Sequence, residues 1–184
     1  MHAGGGNGQP SHRGGGWIDD AVGRYERPLI GYAARLLNND LDSARDVVQH
    51  VFLRLCAQDR STVEPHLYEW LLTVCRNRAF DVRRKEGRMR LIDPATQSEV
   101  PEMGTAADPA VVAERQADGE TVLSMLDSLP PSQAEVIRLK FQHGMSYEQI
   151  ARVTKLSTGN VGFLLHTGIK TLRARLGVSI NPQR

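Results

Sequence analysis

Aromatic residues are scarce in this chain: Phe, Trp and Tyr together make up 5% of its 184 residues. With 40% hydrophobic content overall, its cores must close largely on aliphatic side chains, which suits small helical modules. Cysteine is scarcer still. Cys56 and Cys75 form no CxxC pair and have no His cluster nearby, so a metal site is not expected. Two buried thiols in a reducing cytosol are the expectation. No apolar run approaches the roughly 18 residues needed to span a bilayer, so no membrane insertion is expected. Residues 1–16 are rich in Gly, with His, Asn and Ser, and lack the apolar centre of a signal peptide. They read as a disordered tail on a cytoplasmic protein. Neither strand alternation nor an internal repeat occurs, which leaves an all-α chain. No acid pair, nucleophile–base set or phosphate loop stands out, so neither an enzyme nor a bound cofactor is expected.

What is present is charge, unevenly spread. The formal net charge is +2, yet seven basic residues (Arg76, Arg78, Arg83, Arg84, Lys85, Arg88, Arg90) crowd between Arg76 and Arg90 against Asp81 and Glu86. From Leu91 to Ser128 there are eight acidic residues and Arg115 alone against them. A basic block followed by an acidic one points to polyanion binding with an internal screen or decoy.

Apolar spacing divides the chain into two small helical domains. The expected boundaries are a tail at 1–16, a first domain at 17–86, a flexible acidic linker at 87–108, a second domain at 109–178 and a tail at 179–184. In the first domain, helices are expected from about Ile18 to Leu37, with Pro28 as a kink or break, and from near Asp42, as its cap, to about Ala57. Gln58 to Pro65 reads as a polar loop and Pro65 to Lys85 as a third helix. Leu67, Leu71, Val74, Cys75 and Val82 would face its core, while Thr73, Arg76, Asn77, Phe80 and Arg84 share the opposite side. In the second domain a helix from about Pro109 to Leu129 is stopped by Pro130-Pro131. Ser132 would cap the next, Gln133 to about His143, with Val136, Ile137, Leu139 and Phe141 as its apolar set.

The remaining segment reads as a helix-turn-helix. Ser146 with Gln149 three residues on makes a capping-box pattern, Thr154-Lys155-Leu156 makes the turn, and Ser157 caps a second helix that would enter a major groove. At about 100° per residue, Val161, Leu165, Gly168, Ile169, Leu172 and Leu176 form that helix's core face. Asn160, Phe163, Thr167, Lys170, Thr171 and Ala174 lie opposite, flanked by Leu164 and His166.

Two further blocks narrow the reading. Asp46-Val47-Val48-Gln49-His50-Val51-Phe52-Leu53-Arg54-Leu55 resembles the D-L-V-Q-E-V-F-L-R-L signature of region 2 in extracytoplasmic-function (ECF) sigma factors. Trp70 through Arg84 is similar to the W-L-x-x-I-A-R-N-x-x-x-D-x-x-R-R segment that follows it, and Leu129-Pro130-Pro131 with its following helices resembles region 4. The resemblance runs from about Tyr25 to Leu176. It implies a non-enzymatic factor that binds core RNA polymerase and brings it to promoter DNA, region 2 opening the −10 element and region 4 reading the −35 element. By the same resemblance Asp46, Gln49, His50 and Leu53 would meet the polymerase. Arg76, Asn77, Arg83, Arg84 and Lys85 would hold the −10 DNA, Asn77 at a base edge and the cations on phosphates. Loop Asp59–His66 lies where the family forms a pocket for a flipped base, and Trp70 reads as a core anchor. The acidic linker resembles the segment that threads the polymerase.

Departures from the family are informative. Arg45 and His50 stand where acids are common, and Gly162, Leu164 and Thr167 stand where basic residues are common. The −35 candidates are therefore Lys155, Thr158, Asn160, Phe163, Leu164, Thr167 and Lys170, with Phe163 and Leu164 on thymine methyls and Arg152, Lys155, Lys170 and Arg173 as phosphate anchors. Alternatively the apolar pair docks an anti-sigma factor, or region 2 in an autoinhibited form. Two other functions stay open at this point: a DNA-binding regulator with a LuxR-like helix-turn-helix, and an anti-sigma-binding module with weak promoter binding.

Overall fold

The computed structural model describes residues 15–92 and 125–175, which are helical apart from short turns. The chain divides into two compact units, Met1–Lys85 and Glu86–Arg184. Residues 1–14 of the expected tail at 1–16 lie outside the described residues, but Gly15 and Gly16 are the first residues of a helix and not tail. The expected tail at 179–184, Leu176 of the expected core face, most of the acidic linker and the expected helix from Pro109 also lie outside the described residues, except that 125–127 are helical.

In the first unit, α1 (Gly15–Leu36) packs along α2 (Leu41–Cys56). α1 passes through the exposed Pro28 as one helix, so that residue marks neither a break nor an end. The α1–α2 turn suits its sequence: Asn38 and Asn39 have φ of 55° and 65°, a region Asn tolerates better than most residues. Asp40, rather than Asp42, caps α2, its Oδ1 accepting from the N–H groups of Asp42 and Ser43, each at 3.1 Å. The expected apolar face of α2 is fully buried: Ala44, Val47, Val48, Val51, Phe52 and Leu55. Complete burial of each larger member stabilises by about 1.5–3 kcal/mol.

Part of the expected loop is helical. Asp59 caps a single turn, α3 (Arg60–Val63), and a 3-10 turn (Glu64–His66) follows. Arg60 donates to both oxygens of Glu64 at 2.6 and 3.0 Å, an i,i+4 pair, while Val63 is buried. α4 (Leu67–Ile92) then runs past its expected end at Lys85, through Gly87. One glycine costs a helix only about 1 kcal/mol, too little to stop it here. Leu71, Leu72, Cys75 and Ala79 are its buried apolar residues, whereas Leu67, Val74 and Val82 are half-buried. Tyr68 stacks on Tyr25 of α1 with centroids 4.7 Å apart, and the Cys75 thiol lies 4.0 Å from the Leu29 carbonyl. Burial pushes that thiol up to about 12. Cys56 is exposed, contrary to expectation, because it is the last residue of α2, beyond the core stripe.

In the second unit, α5 (Pro131–Phe141) begins on Pro131 with Pro130 at the cap position and no side-chain cap, so Ser132 lies within the helix. Pro at the first turn forfeits no hydrogen bond, since that N–H would be an orphan. Ala134, Val136, Ile137 and Leu139 are buried, but Phe141, the last helical residue, is 66% exposed. Arg138 is buried on the same helix and pairs with Asp127. His143 follows, held down at about 4 by burial and by the positive charge of Arg138. Gly144 reverses the chain at φ +67°.

Candidate nucleic-acid and polymerase interfaces

The helix-turn-helix forms as its capping signals require. Ser146 Oγ accepts from the Gln149 N–H at 3.2 Å, and Gln149 Oε1 accepts from the Ser146 N–H at 2.8 Å, closing the capping box of α6 (Tyr147–Thr154). Lys155 adopts the left-handed conformation at φ 60°, and its N–H and that of Leu156 both reach the Ala151 carbonyl. Ser157 then caps α7 (Thr158–Arg175), accepting from the Asn160 N–H at 3.2 Å.

On α7, Val161, Leu165 and Gly168 are buried and Ile169 and Leu172 half-buried, so the core face is the expected one. Gly168 marks a close approach: a Cβ there would lie 2.7 Å from Ile137 Cδ1 and 3.3 Å from Gln133 Cβ of α5. The opposite side presents Thr158, Asn160, Phe163 and Lys170 to solvent, with Leu164 and Thr167 half-buried; Lys155 is exposed in the turn. Phe163 is 65% exposed, an unusual position for a Phe. No Lys or Arg lies on α7 before Lys170; Arg152 and Lys155 supply positive charge from α6 and the turn.

On α2, Asp46, Gln49 and Leu53 project from the side away from the core, and His50 is half-buried at its margin. Leu53 is 64% exposed. Arg45 lies beside them and pairs with Asp42 at 3.0 Å, so the charge reversal at that position also engages a neighbouring acid.

On α4, Asn77, Arg83, Arg84 and Lys85 are exposed and Arg76 is half-buried. Arg84 pairs with Asp81 at 2.8 Å. The guanidinium carbons of Arg76 and Arg83 lie 4.6 and 5.9 Å from the centroid of the Phe80 ring. Phe80 shares this side of α4, at spacings of three and four from Asn77, Arg83 and Arg76. His66 is exposed on the 3-10 turn, and Trp70 is half-buried. Among the described residues no group of His, Cys, Asp and Glu could hold a metal ion, and no helix is long and apolar enough to cross a membrane.

Comparison with known proteins decides between the readings. Residues 21–89 match the family model for sigma-70 region 2, and residues 119–172 that for sigma-70, region 4. The chain belongs to the sigma-70 family, in its ECF branch. It is 29% identical over 165 residues to the RNA polymerase sigma factor CarQ of Myxococcus xanthus, covering 87% of this chain and 89% of CarQ. It is also 29% identical to the ECF sigma factor SigE of Mycolicibacterium smegmatis, over 84% of this chain and 60% of SigE. Its fold is similar to that of the sigma factor RpoE from Bartonella quintana, solved in complex with the anti-sigma factor NepR. The TM-score is 0.68 at 24% identity, over 89% of this chain and 98% of that one. As a sigma factor it binds core RNA polymerase and directs promoter-specific initiation, which is favoured over the LuxR-like regulator and the anti-sigma-binding module. The region 2 match takes in α2 and the basic face of α4, and the region 4 match ends within α7.

Proposed function

We propose that this sigma factor divides its work among three surfaces. Asp46, Gln49, His50 and Leu53 on α2 engage core polymerase. Arg76, Asn77, Arg83, Arg84 and Lys85 on α4 hold the opened −10 element, Asn77 at a base edge and the cations on phosphates. Lys155, Thr158, Asn160, Phe163, Leu164, Thr167 and Lys170 meet the −35 element, where Phe163 and Leu164 contact thymine methyls. The observation that carries this reading is shared by the two units. In each, most of the residues at family contact positions lie on the solvent side of a helix whose other side closes the core, with His50, Arg76, Leu164 and Thr167 half-buried and Lys155 in the turn. The acidic linker at 87–108 threads the polymerase, and the protein acts in the cytoplasm without catalysis of its own.

The test mixes the full chain with core polymerase and a promoter library. Specific run-off transcripts are expected; core binding without any would instead favour an anti-sigma-binding module. A second reading of one surface has its own support. Phe163 is 65% exposed on the half of α7 that carries no Lys or Arg, which also suits docking of an anti-sigma factor. Footprinting Phe163→Ala separates the two. Lost −35 protection assigns the ring to DNA, and intact protection with weakened anti-sigma binding assigns it to a protein partner.

A further inference from the structure

A helix of one turn has too few hydrogen bonds to hold itself, so α3 depends on what its side chains reach. Asp59 Oδ1 accepts from the Ser61 N–H at 2.9 Å and from the Ser61 hydroxyl at 2.7 Å, and Val63 is buried. Arg60 donates to both oxygens of Glu64. One contact leaves the loop altogether. The Arg60 guanidinium carbon lies 6.0 Å from the centroid of the Trp17 ring, in the first turn of α1. Glu64, and after it Asp20 on the next turn of α1, favour the Arg60 cation. Trp17 and Asp20 both precede residue 21, where the match to the region 2 family model begins. The contact therefore ties a loop inside the match to a turn of helix outside it.

We infer that Trp17 and Arg60 are positioning residues for the −10 element, which hold loop Asp59–His66 in the conformation that receives an unpaired base. Neither touches the base. Arg60 is committed to Glu64 and to the Trp17 ring, which leaves the exposed Thr62 and His66 as polar groups the loop offers. A loop ordered in advance gives up less conformational freedom when the base arrives, so base capture is tighter. The start of α1 thereby acts on promoter opening from outside the DNA-contacting surface. A contact that only stabilised the fold would act on every DNA probe alike, whereas a positioning contact acts only where a base is captured.

The inference rests on the placement of this loop at the opened −10 element, and the test separates the two. Holoenzyme is assembled from the full chain and core polymerase, with a promoter recovered by run-off selection. Its affinity is measured for a fork whose −10 segment is single-stranded, intact or with one abasic site at each −10 position in turn. In the wild type, the abasic site at the captured position weakens binding. Trp17→Leu should lower the intact-to-abasic affinity ratio there by roughly two- to fivefold, the worth of one exposed cation–π contact, and leave affinity for the abasic probe unchanged. Trp17→Phe keeps a π face and should restore the ratio. Arg60→Gln, at an exposed position, should lower the ratio as Trp17→Leu does, and the double variant should lose little more. A ratio unchanged in both single variants, an equal loss on intact and abasic probes, or strict additivity in the double variant overturns the positioning role. A wild type that no abasic site weakens overturns the placement of the loop and the positioning role together, before any variant is made.

Discussion

Replacing Gly168 with Ala tests the packing that presents the recognition helix. A new Cβ would lie 2.7 Å from Ile137 Cδ1, about 1 Å inside the preferred separation of carbon atoms. It would also lie 3.3 Å from Gln133 Cβ, an atom fixed to the backbone of α5. Ile137 is buried, so its terminal methyl can retreat only by an off-rotamer shift of about 0.5–1.5 kcal/mol or by displacing its neighbours. Overpacking of this kind costs about 1–3 kcal/mol, whereas Gly→Ala within a helix gains about 1 kcal/mol. The net expectation is a loss of about 1 kcal/mol, a fall in midpoint of roughly 4–8 °C for a unit this small. Ile137→Val alone should cost about 1 kcal/mol through its lost methyl. The double variant removes the atom that clashes. It should therefore be more stable than the sum of the single effects by about 1 kcal/mol. Urea denaturation of the full chain, read through hydrogen exchange of α5 and α7 amides, isolates this unit from the first. A stabilised Gly168→Ala together with strict additivity in the double variant would refute the close approach of α5 and α7.

Leu53→Arg should leave stability within about 0.5 kcal/mol, because the side chain is largely exposed, yet lower core-polymerase affinity at least roughly tenfold. Unchanged affinity in a binding titration would remove Leu53 from that surface. His143 provides a pH test. Its imidazole titrates at about 4 in the folded protein against 6.5 in the open chain, so folding disfavours its protonated form. Its contribution is fully present above pH 6.5 and is lost as pH falls from 6.5 towards 4, by about 3 kcal/mol in all. His143→Gln should flatten that limb of the stability profile. A wild-type profile level across the same range, followed by thermal denaturation, would show that the imidazole is not held neutral.

Legibility in the sequence tracked how local the cause was. The buried stripe of α2, the capping box at Ser146 and the Ser157 cap are set by residues three or four positions apart, and spacing alone located them. The outward positions of Asp46, Asn77 and Asn160 followed as the complement of those stripes. Other features have signals that are local but weak, or that compete with a stronger pattern. Asp59 and the Arg60–Glu64 pair turn an expected loop into α3, with Val63 buried. Lys155 takes a left-handed turn usually given to Gly, a choice its own side chain does not announce. Phe141 has the hydrophobicity of a core residue, yet it ends α5 and remains exposed.

By itself, then, the sequence determined the all-α character, the main helices and the family-like pattern that names core polymerase and promoter DNA as partners. Those follow from periodicity, capping chemistry and motif order, which are properties of neighbouring residues. Only the tertiary structure decided that Gly168 sets the distance between α5 and α7, that Cys75 is sealed against α1 while Cys56 is not, and that Phe80 lies between two arginines on the open side of α4. Each of those depends on which surfaces the packed helices leave to solvent or to one another. That is settled by close packing in three dimensions, and a linear pattern constrains it only in part.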